Sequence, residues 1–123
     1  MYLIDTNVLI RAIAGREPDA AFLKRAIERD TVALSVITVA EFLTKASRKE
    51  QGVLEKLIKT FPLLAIDERV AREAAASRKR LLKESKGKLL DHMMAAQAQV
   101  HNLILVTNNQ EDFSTKEIKV ISP

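Results

Sequence analysis

Four carboxylates in this 123-residue chain stand where chemistry on an anionic substrate would need them: Asp5, Glu41, Asp91 and Asp112. Asp5 follows the short apolar run Tyr2-Leu3-Ile4 and precedes the apolar helical run Val8-Leu9-Ile10, so it sits at the carboxyl end of a buried strand. Open α/β sheets bind their ligands at that end. Glu41 lies within Val39-Ala40-Glu41-Phe42-Leu43, Asp91 follows Leu89-Leu90, and Asp112 comes shortly after the apolar run Leu103-Ile104-Leu105-Val106. Each also has an ordinary structural reading. Asp5 or Thr6 caps a helix. Thr38-Val39-Ala40-Glu41 fits the Ser/Thr-x-x-Glu capping box, and Asp91 suits a helix start. Asp112 is a turn residue in a polar loop. Four carboxylates brought together by independent elements would repel one another unless a cation lay between them. Oxygen ligands of this kind suit Mg²⁺ or Mn²⁺.

The elements that must position these residues alternate between short apolar runs and amphipathic helices. Strands are expected at Tyr2–Ile4, Thr31–Leu34, Leu63–Ile66, Leu103–Val106 and, at an edge, Ile118–Ile121. The intervening helices include one from about Asp19, one from Val36 ending in the basic run Lys45 to Lys49, and one over Gln51–Phe61. A long helix runs from Asp67 to about Ser85, with Gly87 at its end, and another starts near Asp91. This pattern predicts a three-layer α/β/α sandwich with a central, mainly parallel sheet of four to five strands. Parallel strands place their carboxyl ends on one rim, where Asp5 stands. Asp67 serves as an internal control. It too follows an apolar run and opens a helix, but no polar cluster accompanies it, and it reads as an N-cap.

Length and a 47% hydrophobic content fit one domain over residues 1–123. The absence of cysteine excludes disulfides and thiolate zinc sites, and two histidines make a histidine-rich metal site improbable. No apolar stretch approaches the roughly 20 residues of a membrane span, and no signal-peptide pattern opens the chain. A cytoplasmic location is expected. Twenty Lys plus Arg against sixteen Asp plus Glu give a net charge of +4, compatible with a nucleic-acid partner without requiring one.

The ordered blocks Leu-Ile-Asp-Thr-Asn-Val-Leu, Val-Ile-Thr-Val-Ala-Glu-Phe, Gly-Lys-Leu-Leu-Asp-His-Met-Met-Ala-Ala and Leu-Val-Thr-Asn-Asn-Gln-Glu-Asp-Phe resemble those of PIN-domain nucleases. More narrowly, the chain resembles the small VapC-type toxins of toxin–antitoxin pairs over its whole length. The resemblance implies that Asp5, Glu41, Asp91 and Asp112 form an acidic metal-binding set for Mg²⁺ or Mn²⁺. It gives Asn7, Thr107 and Asn109 supporting roles that orient carboxylates or a bound water. Asn109 stands where some members carry the fourth acid, which leaves Asp112 or, alternatively, Glu111. Leu90 and His92 depart from the usual pattern without removing a ligand. The implied activity is endoribonucleolytic hydrolysis leaving 5′-phosphate and 3′-hydroxyl ends, with an antitoxin and a homodimer as implied partners. Lys45, Arg48 and Lys49, and the stripe Arg69, Arg72, Lys79, Lys83 and Lys86, are candidates for contacting an RNA backbone, or equally a solvated helix face.

Two rival readings differ in kind. Asp5-Thr6-Asn7 superficially resembles the Asp-x-Asp of haloacid-dehalogenase-like phosphatases, but Asn7 replaces the second acid and no late acidic pair follows. A PIN fold kept only as a catalytically silent RNA- or protein-binding module would show loss of an acid, and none of the four is lost.

Overall fold

The sheet is organised about its first strand. In a computed structural model that describes residues 1–81, 88–113 and 117–123, β1 (Tyr2–Ile4) leads into α1 (Thr6–Ile13) and α2 (Asp19–Glu28). There follow β2 (Val32–Ser35), α3 (Val36–Leu43), α4 (Arg48–Thr60), β3 (Leu63–Leu64) and α5 (Glu68–Leu81). The chain closes with α6 (Leu89–Val100), β4 (Ile104–Val106), a 3-10 turn over Gln110–Phe113, and β5 (Val120–Ile121). The strand order is β3-β2-β1-β4-β5, with every described pairing parallel. Strand order reverses at β1, so the crevice between the carboxyl ends of β1 and β4 is the topological switch point, where such sheets hold ligands.

Two-residue alternation distributes the central strands between two cores. Ile4, Val32, Leu34 and Val106 pack with Val8, Leu9, Leu23, Ala26, Leu54, Leu57 and Phe61 from α1, α2 and the α4 region. Leu3 and Leu105 point the other way, against Met94, Ala98 and Phe113. Both faces of β1 are therefore dry, and its Leu3 and Ile4 are fully buried. A third cluster, Val70, Ala74 and Ala96, joins α5 to α6. The expected three-layer arrangement with five strands is the one found.

Several boundaries differ from expectation, among them β5, which spans Val120–Ile121 rather than Ile118–Ile121. Helix α4 starts at Arg48 rather than Gln51, because Ser47 and Glu50 form a reciprocal capping box: Glu50 N–H donates to Ser47 Oγ at 3.2 Å and Ser47 N–H to Glu50 Oε1 at 2.9 Å. The basic run therefore opens α4 instead of closing α3. Strand β3 is an edge strand of two residues with Leu63 exposed, not a buried strand of four. Helix α6 begins at Leu89, two residues before Asp91. Asp67 does cap α5, accepting from Val70 N–H at 2.9 Å. The expected helix end near Ser85 and Gly87 lies outside the described residues.

Candidate active site

Asp5 is held from both sides of the switch point. Its backbone N–H donates to the Val106 carbonyl at 3.0 Å, extending the pairing of β1 with β4 by one step. Its extended backbone (φ −68°, ψ 152°) makes it the N-cap of α1, and Oδ1 accepts from Thr6 N–H at 2.8 Å. Oδ2 accepts from the hydroxyl of Thr107, a wholly buried residue just past β4, at 2.7 Å. The Thr107 oxygen in turn accepts from Asn109 N–H at 3.1 Å. Thus two strand ends, far apart in sequence, hold one carboxylate by two short donors.

Glu41 arrives from α3, where β2 runs into the helix without a loop and Ser35 takes the N-cap, its Oγ accepting from Ile37 N–H at 3.1 Å. Thr38 is therefore inside the helix, and the capping-box reading of Glu41 is not realised. Glu41 Oε1 instead accepts from the Thr6 hydroxyl at 2.7 Å, and that hydroxyl stands 3.2 Å from the buried Thr38 hydroxyl. Asp91, in the first turn of α6, accepts from Lys88 N–H at 3.0 Å, so its helix-start role is present as well. The next residue, His92, is buried, with Nδ1 3.1 Å from Ser77 Oγ of α5.

The electrostatics tie three of the four acids together. The Asp5 carboxyl, 9% exposed, is pushed above the ordinary aspartate range first by burial and further by the charges of Asp91 and Glu41. The hydrogen bonds from Thr107 and Thr6 pull against that rise. Asp112 and Glu111 lie exposed on the 3-10 turn, and no hydrogen bond joins either side chain to the trio. The Asp112 N–H donates to the Asn109 carbonyl at 3.1 Å. Among the described residues no three acidic or histidine side chains converge closely enough to cage a metal as they stand. Glu41 is engaged by Thr6, and Asp91 is turned back to its own helix end. The donor set itself is all oxygen, and its centre is a buried carboxylate under repulsion from two others. That chemistry fits a hard divalent cation.

The model of the PIN domain matches residues 2–118. The chain belongs to the PIN domain family. Comparison with curated proteins gives no match. Among solved structures, this PIN domain is 29% identical to a chain of a toxin-antitoxin complex from Klebsiella pneumoniae, with a TM-score of 0.78, 98% of this chain and 96% of that chain being covered. It is 30% identical to a chain of FitAcB from Neisseria gonorrhoeae (TM-score 0.75, 98% and 96% covered). VapBC2 from Rickettsia felis, bound to a DNA fragment from its promoter, shares the fold at 21% identity (TM-score 0.80, 99% and 98% covered). The resemblance to VapC-type PIN proteins read from the sequence is borne out.

The remaining candidates are scattered. Asn7 is exposed on the first turn of α1 and lines a cleft along that helix, whereas Asn109 meets Thr107 through its backbone. Lys45, Arg48 and Lys49 are exposed around the start of α4, and Arg69, Arg72 and Lys79 are exposed on α5, where Arg72 pairs with Glu68 at 3.4 Å. Lys83 and Lys86 lie outside the described residues. Sequence reasoning missed two features around the candidate site. One is the Thr6–Thr38 pair that holds Glu41. The other is Asp19, 0% exposed, whose Oδ1 accepts from Arg11 Nε at 3.2 Å and whose Oδ2 accepts from Asn108 Nδ2 at 2.8 Å. Thr6, sitting between Asp5 and Asn7, carried a signal that was legible. Asp19 looked like any acidic residue at a helix start.

Proposed function

We propose that this PIN domain is a metal-dependent endoribonuclease and the toxin of a type II toxin–antitoxin pair. The observation that carries the reading is Asp5: a buried carboxylate at the switch point, raised in pKa by burial and by Asp91 and Glu41, at the centre of an oxygen-only donor set. Family membership supports nuclease chemistry, and the solved relatives described as toxin–antitoxin complexes support an antitoxin partner. A homodimer, implied by the sequence resemblance, is part of the same proposal. No described helix is long and apolar enough to cross a membrane, and a cytoplasmic setting suits an RNA substrate.

Asp5, Glu41 and Asp91 would hold Mg²⁺ or Mn²⁺, with Asp112, exposed on the 3-10 turn, proposed as the fourth acid from the sequence resemblance. Once bound, the ion offsets the phosphate's charge, acts as a Lewis acid and acidifies a water. The chain's own residues set the geometry for this. Thr107 and the Thr6 N–H fix both Asp5 oxygens, so that carboxylate is pre-aligned for an ion. The Thr6 hydroxyl fixes Glu41 Oε1 beside the start of α1, and Asp91 is held at the start of α6 by Lys88 N–H. Water adds to phosphorus, the bond from phosphorus to the 3′-oxygen breaks, and the 3′-oxygen leaves with a proton. The ends produced are a 5′-phosphate and a 3′-hydroxyl. Lys45, Arg48, Lys49, Arg72, Lys79 and Lys83 are the cations proposed to track the backbone.

The test is cleavage of end-labelled total RNA by the purified protein with Mg²⁺, with Mn²⁺ and with EDTA, beside Asp5→Asn. Cleavage that needs the metal and disappears in the variant is expected. Identical behaviour of the two proteins, or no cleavage by antitoxin-free protein under any condition, would overturn the reading.

A further inference from the structure

A cleft of about 390 Å³ opens along α1, bounded by Asn7, Ile10, Arg11, Pro18, Asp19 and Asn108. Its size lies within the range of small-ligand sites. Its position is set by the acidic site itself: Asn7 stands two residues after Asp5, and Asn108 follows Thr107, whose hydroxyl holds Asp5. The floor is built rather than accidental. Asp19 is wholly buried and ties Arg11 of α1 to Asn108 beyond β4, while Arg11 Nη2 also donates to the Glu17 carbonyl at 3.3 Å. The Arg11 side chain is 39% exposed and that of Asp19 is 0% exposed, so the pair turns its cation outward and its anion inward.

We propose that this cleft is a nucleoside subsite, taking one unstacked nucleotide of single-stranded RNA next to the scissile phosphate. The proposal rests on the nuclease reading above and deepens it. Arg11 faces the sugar-phosphate with a positive charge. Asn108 has spent one N–H on Asp19 and keeps its amide oxygen and second N–H for a base edge, and Asn7, exposed at the rim, offers a whole amide. Amide and guanidinium groups are the side chains that read base edges by paired hydrogen bonds. Ile10, 40% exposed, and Pro18 supply the apolar wall against which the flat base lies. Among the described residues no aromatic ring lines the cleft, so recognition there works through the edge of the base more than through stacking. Asp19 makes no contact with RNA in this scheme. It is a positioning residue that fixes the guanidinium and the amide before the strand arrives.

The test uses full-length protein and a set of short single-stranded RNAs that differ only in the bases flanking one cleavage position. Wild type, Asn7→Ala and Ile10→Ala are compared for kcat and KM in Mg²⁺ and in Mn²⁺ and for melting temperature. Wild type is expected to prefer particular bases at one position adjoining the cut. Both variants should relax that preference about tenfold, mainly through KM, while melting close to wild type. Wild type cutting with no flanking-base preference, or variants retaining its preference unchanged, would overturn the subsite and leave the nuclease reading standing. Variants that lose antitoxin binding with RNA preference intact would also overturn it, by making the cleft a protein interface. Wild type that cuts no RNA in either metal would instead remove the nuclease reading, and the subsite with it.

Discussion

Replacing Arg11 by Met should cost this domain a large share of its stability, and the cost should be partly reversed by a second, apparently damaging change. Asp19 is fully buried, and of its two partners only Arg11 carries charge. Removing one member of a buried ion pair costs about 3–5 kcal/mol because the other is left without compensation. Arg11 is 39% exposed, so water screens part of the interaction, and Asn108 still donates to Oδ2. Both facts lower the expected loss to roughly 2–3 kcal/mol. An unfolding entropy near 2.1 cal/mol/K per residue makes each kcal/mol worth about 4 °C in a chain of this length, so Arg11→Met should lower Tm by about 8–12 °C. Asp19→Asn on the Arg11→Met background removes the stranded charge and should recover about 4 °C or more, a coupling of about 1 kcal/mol or greater. Calorimetric melts at pH 7 in EDTA of wild type, both single variants and the double would measure it. If Arg11→Met melts within 2 °C of wild type, or if the double variant melts below it, Asp19 does not depend on its guanidinium partner and the account of the cleft floor is wrong.

Two further outcomes follow from Asp5. Its carboxyl is raised in the folded, metal-free protein, so the native state binds that proton more tightly than the unfolded chain. The associated stability is present below the ordinary aspartate range and lost as pH rises through the raised value. At pH 7 in EDTA, Asp5→Asn should therefore melt above wild type, whereas Mn²⁺ should raise the Tm of wild type much more than that of the variant; the reverse order in EDTA would contradict the burial argument. Thr107→Val keeps the buried volume but removes the 2.7 Å donor to Asp5. Cleavage should fall about tenfold or more, as loss of a hydrogen bond to a charged group implies, and the acidic limb of the pH–rate profile should move to higher pH. An unmoved profile would show that Thr107 does not tune Asp5.

How far the sequence revealed this site depended on whether local pattern and tertiary placement agreed. Leu3, Ile4, Leu105 and Val106 are apolar without interruption because β1 and β4 are covered on both faces, and such runs announce a buried parallel sheet. From that sheet the placement of Asp5 followed directly. The pattern Ser/Thr-x-x-Glu shows the opposite case. It occurs at Ser47–Glu50, where it is a capping box, and at Thr38–Glu41, where it is not, because α3 had already been capped by Ser35. Only the abrupt passage from β2 into α3 distinguishes the two, and no residue at Thr38 or Glu41 encodes it. Likewise Asp19 acquires its meaning from Arg11, eight residues back, and from Asn108, 89 residues on. A charge at a helix start gives no warning that it will be wholly enclosed.

The central place of β1 has a consequence for how the protein is made. Its two neighbours begin at Val32 and Ile104, and the Asp5–Thr107 hydrogen bond spans 102 positions. During translation, Asp5, Thr6, Thr38 and Glu41 can meet early, whereas Asp91 and Thr107 emerge later. A nascent polypeptide therefore carries half of its acidic centre and presents β1 as a bare edge until β4 arrives. Synthesis order itself delays completion of the acidic centre, and a chain truncated before β4 would keep β1 as an exposed edge.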